Sequence, residues 1–337
     1  MLLSVYTLLA LLALLISPTS AEVSLKVGAG FAAKDSLDCS HENNADAAEC
    51  LAGLRWEPGA FEVKCEPAQK DRGDWLIRFP SPVPIGDETN DLVAMEWLLA
   101  KDAEGRPVKA PAVVVVHESG RSMPAGLAFA RGLRGKALHT FLVHLPGYGA
   151  RTSERSGGIR KMLPALRQAI ADVRRSRDAV SVLPLIEPGR IGVLGISLGG
   201  FVTSTVCGLD RGFDHNFVLL AGGNLADVLL HGAKDAARLR ADAQKAGVTP
   251  DQIRELTRVI EPMRLACRVD AARTWLFSGS FDEVVPPRCS VAFAKAAGLI
   301  DGHHQQLPAG HYTAAAFIPV ILDKVAQVML TPAAQTN

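Results

Sequence analysis

The chain has 337 residues, 48% of them hydrophobic, with 36 basic and 35 acidic side chains; this is enough for one large domain with a substantial core, and it excludes a disordered polypeptide. A formal charge of +1 leaves no electrostatic footprint for nucleic acid or for an acidic surface as the main partner. No internal repeat, charge block or low-complexity tract suggests a solenoid or a tail.

Residues 1–16 are an apolar run, followed by Ser17-Pro-Thr-Ser-Ala21 and then Glu22. Thr19 and Ala21 are small enough for the positions three and one before a cut after Ala21, and Pro18 ends the apolar stretch. Residues 1–21 are therefore expected to be a cleaved signal, placing the protein outside the cytoplasm, secreted or periplasmic, with no stable membrane insertion after cleavage. The run has no Lys or Arg before it; the alternative is an uncleaved anchor, for which about 15 apolar residues is short.

Residues 22–90 read as an N-terminal extension with short strands near 61–65 and 75–79. It contains Cys39, Cys50 and Cys65, and the rest of the chain adds Cys207, Cys267 and Cys289. An even count together with export predicts disulfides: Cys267 with Cys289, and one pair among the first three, with Cys207 a small buried hydrophobe. No Cys-x-x-Cys spacing supports a zinc site, and no metal or organic cofactor is expected.

A strand over residues 92–100 leads to Ala112-Val-Val-Val-Val116, an uninterrupted β-branched run that suits a strand buried on both faces. It ends in His117-Glu118-Ser119-Gly120-Arg121, where the backbone N–H of Glu118 or Ser119 can face a developing negative charge and His117 holds the loop by hydrogen bonds. Alternation continues with a strand near 140–145, a helix near 158–176, a strand at Ile191, a helix after Ser197 and a strand near 216–220, the pattern of a parallel sheet with crossover helices.

The strand at Ile191 runs into Gly195-Ile-Ser197-Leu-Gly199 and then into helix-compatible sequence. A serine at the tip of a sharp strand-to-helix turn sits in strained backbone, so its neighbours two residues either side must lack side chains. The turn lifts the Ser197 hydroxyl out of the sheet and points the Leu198 N–H toward any oxyanion beside it. A hydroxyl is a poor nucleophile without a base, and the base needs an orienting acid, so an acid and then a histidine should follow downstream. The strand from Thr274 ends in a small-residue loop bearing Asp282; adjacent Glu283 faces the other way, and Asp301 belongs to a later turn. His311 follows Gly310 in a loop before an apolar helix over 314–330, whereas His303 and His304 lie at the wrong end of a strand near 305–307. His41, His139, His215 and His231 carry no motif.

In combination these motifs resemble the α/β-hydrolase superfamily over about residues 90–330. The resemblance implies a mostly parallel central sheet flanked by helices in a catalytic domain over 91–331, and a triad of Ser197, Asp282 and His311 with an oxyanion hole from Leu198 and from Ser119 or Glu118. The loop at His117 is similar to the His-Gly loop of esterases and lipases, with Glu118 where glycine is usual, closer to the dienelactone-hydrolase branch. Residues 141–151 are similar to the family's Asp-x-Pro-Gly-x-Gly loop, with His144 in place of the aspartate. The charged, helix-prone stretch 222–268 stands where the family carries a helical lid. The activity implied is hydrolysis of a small-molecule carboxylic ester through an acyl-enzyme. Two alternatives stand beside it: a peptidase similar to the prolyl-oligopeptidase group, whose large propeller is absent here, and a catalytically silent binding protein on the same scaffold.

Overall fold

Buried β-branched residues organise the architecture. In a computed structural model, which describes residues 25–39, 42–153 and 159–331, the Val113 run is the strand β5 (Ala110–Val116), all seven of its residues buried. Val114 and Val116 join one apolar layer while Val113 and Val115 join the other, because successive side chains leave a strand on opposite faces. The expected leader over 1–21 and His41 lie outside the described residues.

The elements in chain order are β1 (Gly30–Lys34), α1 (Ala45–Leu54), β2 (Ala60–Pro67), β3 (Trp75–Pro80), β4 (Leu92–Leu98), β5, α2 (Pro124–Arg134), β6 (His139–His144), α3 (Ile159–Ser181), β7 (Ile186–Ile196), α4 (Leu198–Leu209) and β8 (His215–Leu219). Then come α5 (Leu225–His231), α6 (Asp235–Lys245), α7 (Pro250–Arg258), β9 (Thr274–Gly279), α8 (Pro287–Ala296), β10 (His304–Leu307) and α9 (Ile318–Leu330). One ten-stranded sheet runs β1-β2-β3-β4-β6-β5-β7-β8-β9-β10. The six strands from β6 to β10 are parallel, and β1 to β4 continue the sheet antiparallel. The helix α4 is buried from Gly199 to Leu209, so it forms the centre of one layer, and α2 and α9 cover the opposite face.

The segment 22–90 contributes β1, β2 and β3 to this same sheet. It is fastened to α3 by polar groups taken out of water: Arg175 pairs with Asp35, and the next residue, Ser36, bonds Asp178 by N–H (2.8 Å) and hydroxyl (2.6 Å), beside Arg174, which Asp178 and Asp210 hold. Two helices have starts that are hidden in the sequence. Asn44 caps α1 by accepting from the N–H of Asp46 and Ala47, and Pro287, which reads as a stop after the acid loop, instead opens α8 at its first turn.

The cysteine expectation is overturned. All six described thiols are unpaired. Cys267 is exposed on a short 3₁₀ turn, while Cys289 faces inward from α8 with its sulfur 3.3 Å from Asp227 Oδ2. Cys39 and Cys50 point at different carbonyls, Leu209 O and Val259 O, and Cys65 is buried in β2, with its thiol pushed up to about 11 by desolvation. Strand and helix geometry send these sulfurs to different neighbours, so spacing along the chain was a poor guide to their pairing.

Candidate active site

Ser197 closes β7 and opens α4 with φ 53° and ψ −112°, a conformation an L-residue holds only where its surroundings over-determine it. The flanking glycines show what does so. A Cβ on Gly195 would lie 2.2 Å from Gly199 O, and one on Gly199 would lie 2.2 Å from Val116 O. The elbow therefore packs directly on the end of β5, to which it is also tied by Gly199 N–H donating to His117 O at 3.1 Å.

The structure brings three expected residues together. Ser197 Oγ lies 2.9 Å from His311 Nε2, and His311 Nδ1 lies 2.7 Å from Asp282 Oδ2. A carboxylate only accepts, so Nδ1 carries the proton toward Asp282 and leaves Nε2 to accept from the serine hydroxyl. The other oxygen of Asp282 accepts from the N–H of Val284 and Val285 at 2.8 and 2.9 Å, which aims the carboxylate. The loops bearing acid and base are stitched by Ser280 N–H to Leu307 O (2.8 Å) and Phe281 N–H to Ala309 O (3.0 Å). The approach is close enough that a Cβ on Gly279 would meet Ala309 O at 2.6 Å.

Beside Ser197, the N–H groups of Leu198, Glu118 and Ser119 find no acceptor among the described residues. The Glu118 side chain turns away from them. Its two oxygens accept from Ala125 N–H and Gly126 N–H, both at 3.0 Å, so it caps the start of α2 and stands on the favourable end of the helix dipole. His117 shapes the loop: Nε2 accepts from Leu145 N–H at 3.1 Å and Nδ1 meets Glu118 O at 2.5 Å, with Tyr148 edge-on at 4.7 Å. Burial holds this ring neutral, lowering its pKa to about 3.

His144, standing where the family has an aspartate, anchors the adjacent loop. Its Nδ1 accepts from Ala150 N–H at 3.0 Å and its Nε2 donates to Glu96 Oε1 at 2.6 Å, which also receives Arg72 Nε at 2.7 Å. Gly149, with φ +51°, is required there because a Cβ would sit 2.7 Å from the His144 ring. Buried Arg151 completes the loop through His144 O (3.0 Å) and Asp172 (2.7 Å). Arg72 and Glu96 belong to no motif, and the sequence carried no signal for them; Arg151 ends the 141–151 stretch, where nothing in the sequence marked its part in holding the loop.

The rejected candidates lie elsewhere. Glu283 is exposed and pairs with Lys234, and Asp301 sits in an exposed turn. His304 starts β10, at the end remote from His311, and its Nε2 meets Ser278 Oγ at 2.8 Å; His303 meets Ala271 O and Thr274 O. His139 accepts from Trp97 Nε1, His215 leans on the Trp275 ring, and His231 pairs with Asp227 on the surface. Residues 222–268 form α5, α6, α7 and two 3₁₀ turns, with Glu261 capping α5 through the N–H of Asn224 and Leu225.

No family model matches the chain, and no curated protein matches it in sequence. Solved structures do resemble it. An acetyl xylan esterase from a Paenibacillus species superposes with a TM-score of 0.59 at 15% identity, over 86% of this chain and 96% of that one. Acetyl xylan esterase 1 from a Thermoanaerobacterium species gives 0.57 at 16%, over 88% and 96%. A puromycin-hydrolyzing peptidase from Mycobacterium tuberculosis gives 0.56 at 16%, over 80% of this chain but only 46% of that one. This chain has the α/β-hydrolase fold.

Proposed function

We propose that this protein is a serine hydrolase that cleaves carboxylic esters through a covalent acyl-enzyme. The observation that carries the reading is the hydrogen-bonded chain Ser197–His311–Asp282 at a strained strand-to-helix elbow, beside N–H groups with no acceptor among the described residues. His311 Nε2 takes the hydroxyl proton as Ser197 Oγ attacks the ester carbonyl, and Asp282 holds the imidazolium that forms. Negative charge gathers on the former carbonyl oxygen, where the N–H groups of Leu198 and of Glu118 or Ser119 receive it. Collapse expels the alcohol, protonated by His311. Water then enters by the same base catalysis, breaks the serine ester and releases the acid. No step needs a metal or an organic cofactor.

Ester is favoured over amide by the two acetyl xylan esterases, which resemble this chain over nearly their whole length, whereas most of the peptidase neighbour has no counterpart here. On the same reading, residues 222–268 act as a lid, and the leader over 1–21 exports the enzyme. The test is turnover of p-nitrophenyl acyl esters of graded chain length set against aminoacyl anilides, with a fluorophosphonate probe mapped to its labelled residue. Ester turnover with the label on Ser197 is expected. Turnover of anilides alone gives the peptidase alternative, and neither turnover nor labelling gives the silent binding protein.

A further inference from the structure

The insertion after β8 meets the loops that carry Asp282 and His311 at residues 232–235, the turn after α5 and the first residue of α6. Gly232 packs so closely that a Cβ would lie 2.4 Å from Val284 O, and Ala233 N–H donates to Glu283 O at 2.7 Å. Lys234 Nζ stands 3.4 Å from Glu283 Oε2 and 5.1 Å from the centroid of the Tyr312 ring. Asp235 Oδ2 accepts the Tyr312 hydroxyl at 3.0 Å, and that ring stands edge-on to His311 with centroids 5.5 Å apart. Four consecutive residues thus reach the neighbour of Asp282 and the neighbour of His311 together.

Two features argue that this is more than packing. Lys234 has φ 53° and ψ −110°, a backbone that glycine would hold with less strain, yet the position carries a cationic side chain that can face both a carboxylate and an aromatic ring. The side chains of Lys234 and Glu283 are 50% and 68% exposed, so their attraction is screened and contributes little to folding. What such contacts can do is set the spacing of two loops, and catalytic geometry is sensitive to displacements far smaller than those that unfold a domain.

We propose that the 232–235 turn is a positioning element of the active site, with Lys234 and Tyr312 as its positioning residues, clasping the acid loop to the base loop and tying the reactivity of Ser197 to the insertion. The inference rests on the hydrolase reading above. The charged groups around the Tyr312 ring are Lys234, Asp235, Arg238 and Asp282; Arg238 is paired with Asp235 and Glu283 with Lys234. Removing Lys234 deletes a cation and unpairs Glu283, and both changes favour proton uptake nearby.

The experiment measures the second-order rate at which a fluorophosphonate labels Ser197, beside the thermal midpoint and the pH–rate profile. Lys234→Met is expected to slow labelling about tenfold at an unchanged midpoint and to move the acid limb to higher pH. Tyr312→Phe, which keeps the ring and loses the hydroxyl, should slow it about threefold. Lys234→Arg should restore the wild-type rate. Lys234→Gly, which relaxes the backbone, should be no less stable than the wild type and still slow. A reactive Ser197 whose labelling rate and pH profile are indifferent to Lys234→Met and Tyr312→Phe overturns this proposal and leaves the hydrolase reading standing. A wild-type Ser197 no more reactive than in denatured protein overturns both.

Discussion

Two regions of this molecule gather polar groups and treat them in opposite ways, one buried and one half-buried or exposed. Along α3, Arg174 is 1% exposed and meets Asp178, both oxygens of Asp210 and the Ser36 hydroxyl, while Arg175 meets Asp35 and Pro80 O. At the catalytic edge, Ser197 has one side-chain partner, and the N–H groups of Leu198, Glu118 and Ser119 have none among the described residues. A saturated network has no capacity left for a ligand and serves to hold elements together. The half-buried and exposed groups around Ser197 keep capacity for a ligand, which on the hydrolase reading proposed above is the charge that the reaction creates. The α3 seam joins the β1 end of the sheet to the parallel half.

The sharpest way to break this comparison is to remove the open region's nucleophile. Ser197→Ala should lower ester turnover by roughly 10⁴- to 10⁶-fold while the thermal midpoint stays near that of the wild type, or rises as the elbow loses a polar group. Near-native turnover from the folded variant would end the hydrolase reading. The seam should respond in reverse. Arg174→Met leaves buried Asp210 without its cation and Asp178 with Arg177 alone at 3.3 Å, and should cost about 3–5 kcal/mol in denaturant unfolding, with turnover per folded molecule unchanged. A smaller loss would mean that water already reaches the seam.

Acid sharpens the same contrast along the central strands. His117 at the catalytic end of β5 and His139 at the start of β6 have pKa values lowered by burial from 6.5 to about 3 and about 4. Both native rings must stay neutral, so their contribution is fully present above pH 6.5 and is lost as pH falls toward those native values. Each should cost about 1.4 kcal/mol per pH unit across its window, so urea unfolding at pH 7.5, 5.5 and 4.5 should show a steepening loss. Stability that stays flat over that range would show the rings to be hydrated. The smallest effect concerns thiols. A Cys267–Cys289 bridge would add about 3 kcal/mol in the chain-entropy model, but with all six cysteines unpaired, dithiothreitol should leave the thermal midpoint unmoved. A clear drop would reinstate the bridge.

Much of the fold was legible because its signals are short-range. The β5 run reads as a doubly buried strand from composition alone, and Gly195 marks the elbow because a Cβ there would collide with Gly199 O within the same turn, whereas the clash that requires Gly199 is with Val116 O of β5. The order of serine, acid and histidine, with Asp282 and His311 each placed at the end of a strand or its loop, could likewise be read residue by residue. Glu118 was legible only as a departure from a pattern; its purpose, capping α2 seven and eight residues on, required the helix to be seen.

Sequence alone determined where the parallel strands and the sharp turn fall, since β-branching and glycine placement act within a few residues, while β1, α1, α2 and α8 carried no such signal. Only tertiary structure decided that β1, β2 and β3 extend the same sheet, that Ser36 meets Asp178 across 142 positions, that Lys234 faces Glu283 and Tyr312, and that no cysteine finds another. The physical reason is range. A charge or a thiol has no preferred sequence separation, so its partner is set by which surfaces the folded layers bring together and not by anything its neighbours in the chain encode.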